Sequence, residues 1–324
     1  MDYIVTGGAG YIGWYLVDSL VRQGNEVTVL DDLSSGSFVH KKAKLIKIDL
    51  RDDKAVEELG GLERNSIIFH LAANPEVRTS IYYPVDHFHR DVTTTLNIVE
   101  LARKIDAKML LFTSSSTVYG DATKIPTPET YPPNPISNYG LYKLQAEMLL
   151  NYYTRRYGIR STVARLANVV GGHTTHGIIY DFVNKLKANP KELEILGDGK
   201  QKKSYIYVAD VVSALQFMME NPRADNEIYN LGSQDLILIN DIAKIAEEEM
   251  GLEPKHKYNN EFNGRGWVGD VRYMLLDVTK LKSLGWSPRF DSKQTVRMAI
   301  DDLIGKKHTN SHNEEDMQIE RKKS

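Results

Sequence analysis

Short apolar runs alternate with amphipathic stretches along the first half of the chain. Asp2–Thr6, Glu26–Leu30, Ala43–Lys47, Ser66–Leu71, Lys108–Thr113 and Ser161–Ala167 are compact runs, several β-branched and continuously apolar. That is the pattern of strands buried on both faces of a parallel sheet. Between them Tyr11–Arg22, Lys54–Leu59, Val85–Lys104 and Tyr142–Tyr157 carry helical spacing. Strand and helix in regular alternation predict an α/β fold, a Rossmann-type doubly wound parallel sheet.

After Gly171 the pattern changes. A helix over Ile178–Ala188, a strand at Leu193–Leu196, the turn GDGK, a strand at Tyr205–Val208 and a helix over Asp210–Met219 precede Glu227–Leu231, which reads as a return to the main sheet. Asp241–Met250 and Gln294–Ile304 are further helices, and Val271–Leu276 is a strand of a second lobe. Chains of this length usually divide around a cleft. The expected division is 1–172 with about 204–232 as the dinucleotide-binding domain, and about 173–203 with 233–304 as a smaller, discontinuous C-terminal substrate-binding lobe. Residues 305–324 are densely charged and too poor in apolar side chains to order themselves.

Composition narrows the chemistry. Of 324 residues 41% are hydrophobic and 26% charged, and the formal net charge is −2. No basic field for a nucleic-acid backbone follows from that balance, so any phosphate binding must be local. With no cysteine, disulfides, zinc–thiolate sites and thiol nucleophiles are excluded. No long apolar run and no charged leader precede the first strand, which predicts a cytoplasmic protein without a membrane partner.

GGAGYIG follows the first strand and opens a helix. Gly7 permits a tight turn, Gly10 lets the backbone approach a pyrophosphate, and Gly13 lets helix pack on strand; the phosphates then sit on free N–H groups at the positive helix end. The second strand ends in Asp31-Asp32, where an acid accepts hydrogen bonds from the adenosine ribose. Asp31 is the better placed, and a carboxylate there repels a 2′-phosphate, favouring NAD over NADP. Asp49 with Leu50 closes the third strand near the expected adenine, though an isolated Asp at a strand end also serves as a simple turn former.

YGLYK places Tyr139 and Lys143 one helical turn apart, so both side chains leave the same face. A free phenol has a pKa of about 10; a neighbouring ammonium and a positively charged nicotinamide both favour its anion, making a base near neutral pH. TSSSTVYG places serines where the fifth strand runs out at the carboxyl edge of the sheet, the edge at which doubly wound folds bind ligands. A serine there donates to a substrate oxygen or relays its proton to Tyr139.

Glycines, acid, serine and YxxxK in this order resemble the extended short-chain dehydrogenase/reductase family. Within it GGAGYIG, DDLSSG, HLAANPEVR, SSSTVYGD, YGLYK, RLANVVGG, GDGKQKKSYIYV and GRGWVGDV are most similar to UDP-glucose (UDP-galactose) 4-epimerases of the archaeal type. The resemblance implies a catalytic set of Ser115, Tyr139 and Lys143, with Ser114 and Ser116 close enough to leave the serine register open. It implies NAD held by Gly7, Gly10, Tyr11, Ile12, Gly13, Asp31, Asp32, Ser35, Asp49, Leu50, Leu71, Ala72, Ala73 and Thr113, together with Tyr139 and Lys143. A UDP-hexose would meet Ser115, Ser116, Tyr139, Asn168, Lys203, Tyr205, Arg265 and Asp270. In such enzymes the tyrosinate takes a proton as a hydride leaves sugar carbon 4 for NAD, and the keto sugar swings and receives the hydride on its other face.

Departures from the family pattern are equally specific. Lys203 stands where relatives often carry Arg, replacing a bidentate fork with a point charge. Arg265 is spaced further from Gly269-Asp270 than in the common RxGD form, and Asp91 stands where Asn is usual. Ser116 and Thr117 follow Ser115 where dehydratases and decarboxylases carry an acid, favouring simple oxidation and reduction at carbon 4. Met274 falls near the sugar's second carbon, where a flexible thioether admits an N-acetyl group. His173 with His176, and His87 with His89, read as surface or loop residues rather than a metal site, and His70 as a core residue. The Tyr142–Tyr157 helix is apolar on two faces, which implies a homodimer or burial under the second lobe. The competing readings are UDP-glucuronate or UDP-N-acetylhexosamine 4-epimerisation, an NAD(P)H-consuming nucleotide-sugar reductase, and a non-catalytic NAD-binding protein.

Overall fold

The structure, a computed structural model, describes residues 1–36, 38–306 and 317–319. Seven strands form the central sheet: β1 (Asp2–Thr6), β2 (Glu26–Asp31), β3 (Lys44–Lys47), β4 (Ile67–His70), β5 (Met109–Ser115), β6 (Ser161–Leu166) and β7 (Ile228–Leu231). Their order is β3-β2-β1-β4-β5-β6-β7, and every neighbouring pair is parallel. The order reverses between β1 and β4, and the crevice at that switch point is where such sheets bind ligands. All six residues of β6 and all four of β4 are buried, as strands covered on both faces are, with Arg165 and His70 hydrogen-bonded inside.

Helices α1 (Tyr11–Arg22), α2 (Thr94–Lys104), α3 (Asn138–Tyr157) and α4 (Val208–Glu220) cover the sheet. One apolar layer joins Trp14, Leu16 and Leu20 of α1 to Val211 and Leu215 of α4; the opposite layer joins Ile98 and Leu101 of α2 to Ala146 and Leu150 of α3. A separate core built from Phe182, Leu193, Ile242 and Ile300 lies in the C-terminal region, among the helices Ile178–Ala188, Ile239–Met250 and Ser292–Ile304. Short strands that the sequence pattern did not predict include Lys255–Asn259, which pairs in parallel with Glu192–Leu196, Asn168–Val170, which pairs with Tyr205–Tyr207, and Lys202–Lys203, which runs antiparallel to Ile237–Leu238.

Two expectations are corrected. The single helix expected over Val85–Lys104 is split into Pro84–Phe88, a wide π turn over His89–Thr93, and α2. The hydroxyls of Thr94 and Thr95 donate to the carbonyls of His89 and Asp91, a local competition that opens the ladder. The strand expected over Val271–Leu276 contracts to Tyr273–Met274, beside Lys202–Lys203. Of the tail, Gly305 closes the last helix in the left-handed region and Lys306 bonds Glu249, while Met317–Ile319 runs antiparallel to Phe38–His40. Residues 307–316 and 320–324 of that expected charged tail lie outside the described residues.

Candidate active site

A cleft of about 490 Å³ opens along the carboxyl ends of the strands, between the sheet and the C-terminal region. Its floor begins at the glycine turn. Gly7 has φ +69°, and a side chain there would strike the backbone of Ala72 at 2.8 Å, so the loops after β1 and β4 run in contact. A Cβ on Gly13 would meet the Gly7 carbonyl at 2.1 Å. Gly10 caps α1 with no side chain bonded to the helix end, leaving its first N–H groups to an anion. At the end of β2 the Asp31 carboxylate, buried by this turn, accepts N–H bonds from Ala9 (3.0 Å) and Leu33 (2.8 Å). Burial pushes its pKa up despite those bonds. An open helix N-terminus, a glycine bed without room for side chains and an acid at the second strand's end fit NAD.

Asp32 and Asp49 line the same arm of the cleft but are partly engaged. Asp32 lies 3.6 Å from Arg90, and Asp49 is gripped by Arg51 at 2.6 Å, which holds its pKa below the usual carboxylate range. Ser35, Leu50, Tyr11, Ile12, Leu71 and Ala73 also line this arm.

The reacting group is assembled by α3. Ser137 caps the helix, accepting the Gly140 N–H at 3.1 Å, so α3 starts at Asn138, earlier than the Tyr142 boundary read from sequence. Gly140 has no room for a side chain: a Cβ there would sit 2.5 Å from the Thr117 carbonyl. That close approach seats Tyr139 against the turn that follows β5. Strand alternation then divides the serines. Ser114 turns away and donates to Glu147 at 2.5 Å, in a buried network where Arg165 holds Glu147 at 2.6 and 2.9 Å. Ser115 faces the cleft near the Tyr139 hydroxyl, whose pKa it lowers, and its Oγ accepts from the N–H and the hydroxyl of Thr117. Ser116 lines the cleft beside it. Of the three serines, the geometry joins Ser115 to the Tyr–Lys pair.

Lys143 is buried one turn along, donating to the Thr113 carbonyl at 3.1 Å and lying 5.7 Å from the Tyr139 ring centre. Burial lowers its pKa, and the carboxylates of Asp91 and Glu147 oppose that drop. Burial pushes the Tyr139 hydroxyl well up, the Asp91 carboxylate adds to the rise, and Ser115 offsets part of it. Burial and the Asp91 carboxylate thus both favour the protonated phenol, against the expectation that a neighbouring ammonium and a positively charged nicotinamide favour its anion, of which only the ammonium belongs to the protein. His70, wholly buried, bonds the hydroxyls of Thr6 at 2.7 Å and Thr95 at 3.0 Å, and burial drops its pKa to about 3. It is a neutral core residue.

On the far wall stand Asn168, whose amide donates to the Ser204 carbonyl at 2.9 Å, and Tyr205, Met274, Lys203 and Asp270. Lys203 and Asp270 are joined to each other at 2.5 Å, so the lysine's charge is already met inside the protein. Arg265 is the one expected site residue that the fold does not bring to the cleft. Its guanidinium bonds both carboxylate oxygens of Asp121, at 3.2 and 2.8 Å, and the Asp270 carbonyl. A bidentate fork with a carboxylate at hand is drawn to it, and the longer spacing to Asp270 leaves that turn available. Sequence reasoning passed over Arg51, Arg78, Arg90 and Trp267, which line the cleft from loops and the π turn. Arg90 four residues after Asp86 was the one local signal, and the two are paired at 2.9 Å. Among the described residues no three His, Asp or Glu side chains stand where they would hold a metal ion.

Residues 3–232 match the model of the NAD dependent epimerase/dehydratase family. A putative UDP-glucose 4-epimerase of Methanocaldococcus jannaschii is 34% identical, over 92% of this chain and 96% of its own. Among solved structures, a UDP-galactose 4-epimerase is 43% identical with a TM-score of 0.84, covering 94% of this chain and 99% of that one. The UDP-glucose 4-epimerase of Thermotoga maritima with UDP-glucose is 34% identical with a TM-score of 0.86, over the same shares. Matches extend to proteins named for UDP-glucuronate and UDP-N-acetylglucosamine.

Proposed function

Because this chain belongs to the NAD-dependent epimerase/dehydratase family, we propose that it inverts carbon 4 of a UDP-hexose, interconverting UDP-glucose and UDP-galactose. The observation that carries this reading is the convergence of Ser115, Tyr139 and Lys143 at the carboxyl edge of the sheet, followed by Ser116 and Thr117 rather than an acid. With no carboxylate in that turn to move a proton at carbon 5, reversible oxidation at carbon 4 is the chemistry available.

In this reading Tyr139 takes the proton of the carbon 4 hydroxyl, and Ser115, beside it, orients that hydroxyl and relays the proton. Bound NAD would supply a reversible hydride acceptor at carbon 4, and its positive ring would add charge that favours the Tyr139 phenolate. Gly7, Gly10, Gly13 and the opening of α1 hold the pyrophosphate, and Asp31 holds the adenosine ribose. The 4-keto sugar turns about its link to the diphosphate while Asn168 and Tyr205 keep the nucleotide in place, so that the returning hydride meets the other face of carbon 4 and Tyr139 gives its proton back to the carbon 4 oxygen. Met274, on the cleft wall, supports a second reading in which an N-acetyl group is accepted at the sugar's second carbon.

We also assign the functional unit as a homodimer. Leu141, Met148 and Tyr152 form an exposed apolar stripe on α3, continued by Tyr83 and Val85 at the start of the neighbouring helical segment. No helix among the described residues is long and apolar enough to cross a membrane, and a cytoplasmic location accords with this reading. The deciding experiment incubates purified protein with UDP-galactose, without added cofactor, and quantifies UDP-glucose against a Tyr139→Phe control. Conversion that collapses in the control supports epimerisation with retained NAD. Oxidation of external NADH by a keto nucleotide sugar, with no conversion of UDP-galactose, replaces it with a reductase, and no conversion after adding NAD rejects this substrate pair.

A further inference from the structure

Arg51, Arg78, Arg90, Lys143, Lys185 and Lys203 line the cleft. Five of them are engaged by near neighbours: Arg51 by Asp49, Arg90 by Asp86, Lys143 by the Thr113 carbonyl, Lys185 by Glu194 and Lys203 by Asp270. Arg78 differs. Among the described residues its guanidinium makes no hydrogen bond, and its nearest carboxylate, Asp181, is 3.9 Å away, at the outer limit of an ion pair. Its side chain is 42% exposed, so the planar fork is open to a ligand.

The position of Arg78 is nevertheless well defined. It opens a short 3-10 turn, Arg78–Ile81, that is bolted to the start of α3: the Ser80 carbonyl accepts from the Asn138 amide at 2.8 Å, and Ser80 Oγ accepts the Tyr139 N–H at 3.3 Å. From there the side chain reaches across to the C-terminal region, where its guanidinium lies 5.6 Å from the centre of the Trp267 ring. The same indole carries Lys203 at 5.2 Å. Packing against an aromatic face holds a guanidinium while leaving its N–H edge free, and that edge matches two phosphate oxygens at once. Arg78 thus links the turn bonded to Tyr139 with Trp267 on the C-terminal wall of the cleft, both of which line the space a ligand at Tyr139 would enter.

We propose that Arg78 is the diphosphate clamp of the cleft, its fork taking the nucleoside diphosphate of the substrate with Trp267 as the platform that holds it there. The inference rests on the nucleotide-sugar reading above. The long pair with Asp181 is readily exchanged, because the diphosphate of a nucleotide sugar carries two negative charges and can approach closer than this partly exposed carboxylate does. Arg78 takes up the role that Lys203, held by Asp270, and Arg265, turned to Asp121, do not fill.

The test compares binding of UDP and uridine to wild-type protein and to Arg78→Gln, with turnover of UDP-galactose and bound NAD measured on the same samples. Loss of a charge-assisted bidentate contact should weaken UDP by about 10- to 100-fold, with the turnover defect falling on KM more than on kcat. Uridine affinity and NAD content should hold, and Arg78→Lys should recover part of the loss. UDP bound by Arg78→Gln as tightly as by wild type overturns the proposal. So does an equal loss of uridine and UDP, which marks a brace between the lobes, or a loss of NAD, which marks a cofactor contact. Wild-type protein that binds no UDP rejects the nucleotide-sugar reading itself.

Discussion

Replacing Asp91 by Asn should change stability in a way that depends on pH, with a sign the structure dictates. Asp91 sits in the π turn, almost wholly buried; one oxygen accepts the Asn74 N–H at 3.2 Å and the other has no hydrogen-bond partner. Burial pushes its pKa from 3.8 up to about 6, and the Lys143 ammonium, the Asn74 bond and Arg90 only partly offset that. Between those two pH values the native state holds a proton that the unfolded chain has released. Unfolding free energy therefore falls as pH rises through this window, by at most about 1.4 kcal/mol per pH unit and about 3 kcal/mol in total. The neutral amide of Asp91→Asn has no such term. Its new N–H finds no ready acceptor and costs a roughly constant 1–3 kcal/mol, which shifts the comparison without tilting it. Denaturant unfolding of both proteins near pH 4, 5.5 and 7.5 should show the variant gaining on wild type by about 2–3 kcal/mol across the series. A stability difference that stays flat with pH would show that Asp91 is not held as a destabilised carboxylate, and would remove its opposition to the Tyr139 phenolate.

Further outcomes follow from neighbouring contacts. Ser115→Ala should cut kcat by about 100-fold or more with little change in unfolding, whereas Ser114→Ala should cost about 1–3 kcal/mol of stability by removing the donor to Glu147; the two are separated by steady-state rates and denaturant melts. Arg165→Met leaves Glu147 buried without its partner and should destabilise by about 3–5 kcal/mol, and adding Glu147→Leu should restore much of that in the same assay. Gly13→Ala drives a methyl into the Gly7 carbonyl and should strip the protein of bound nucleotide, read from the ratio of absorbance at about 260 and 280 nm, before it abolishes folding.

The parts legible in the chain were those governed by short-range preference. Apolar runs against helical spacing placed all seven central strands to within a residue or two and α1 over Tyr11–Arg22, because burial on one face or two dictates a period that neighbouring residues must share. Position alone made the glycine turn meaningful, and four-residue spacing put Lys143 beside Tyr139. Local pattern failed where side chains compete with the backbone, as Thr94 and Thr95 do when they open the π turn. It failed again at Val271–Leu276, where only Tyr273 and Met274 pair with a neighbouring strand and Leu276 meets Thr127 in a lone bridge.

What the tertiary structure alone decided was the choice of partner. Which serine faces Tyr139 depended on Glu147 drawing Ser114 to the other side of β5, and Glu147 itself is held by Arg165 from β6. Lys203 meets Asp270 across 67 residues of chain, and Arg265 meets Asp121 across 144. Motif resemblance placed both cations on the substrate, yet each lies where a carboxylate reaches it first. Residue type states that a charge exists; which opposite charge neutralises it is a competition in space among groups far apart in sequence, and that competition left Arg78 open in the cleft.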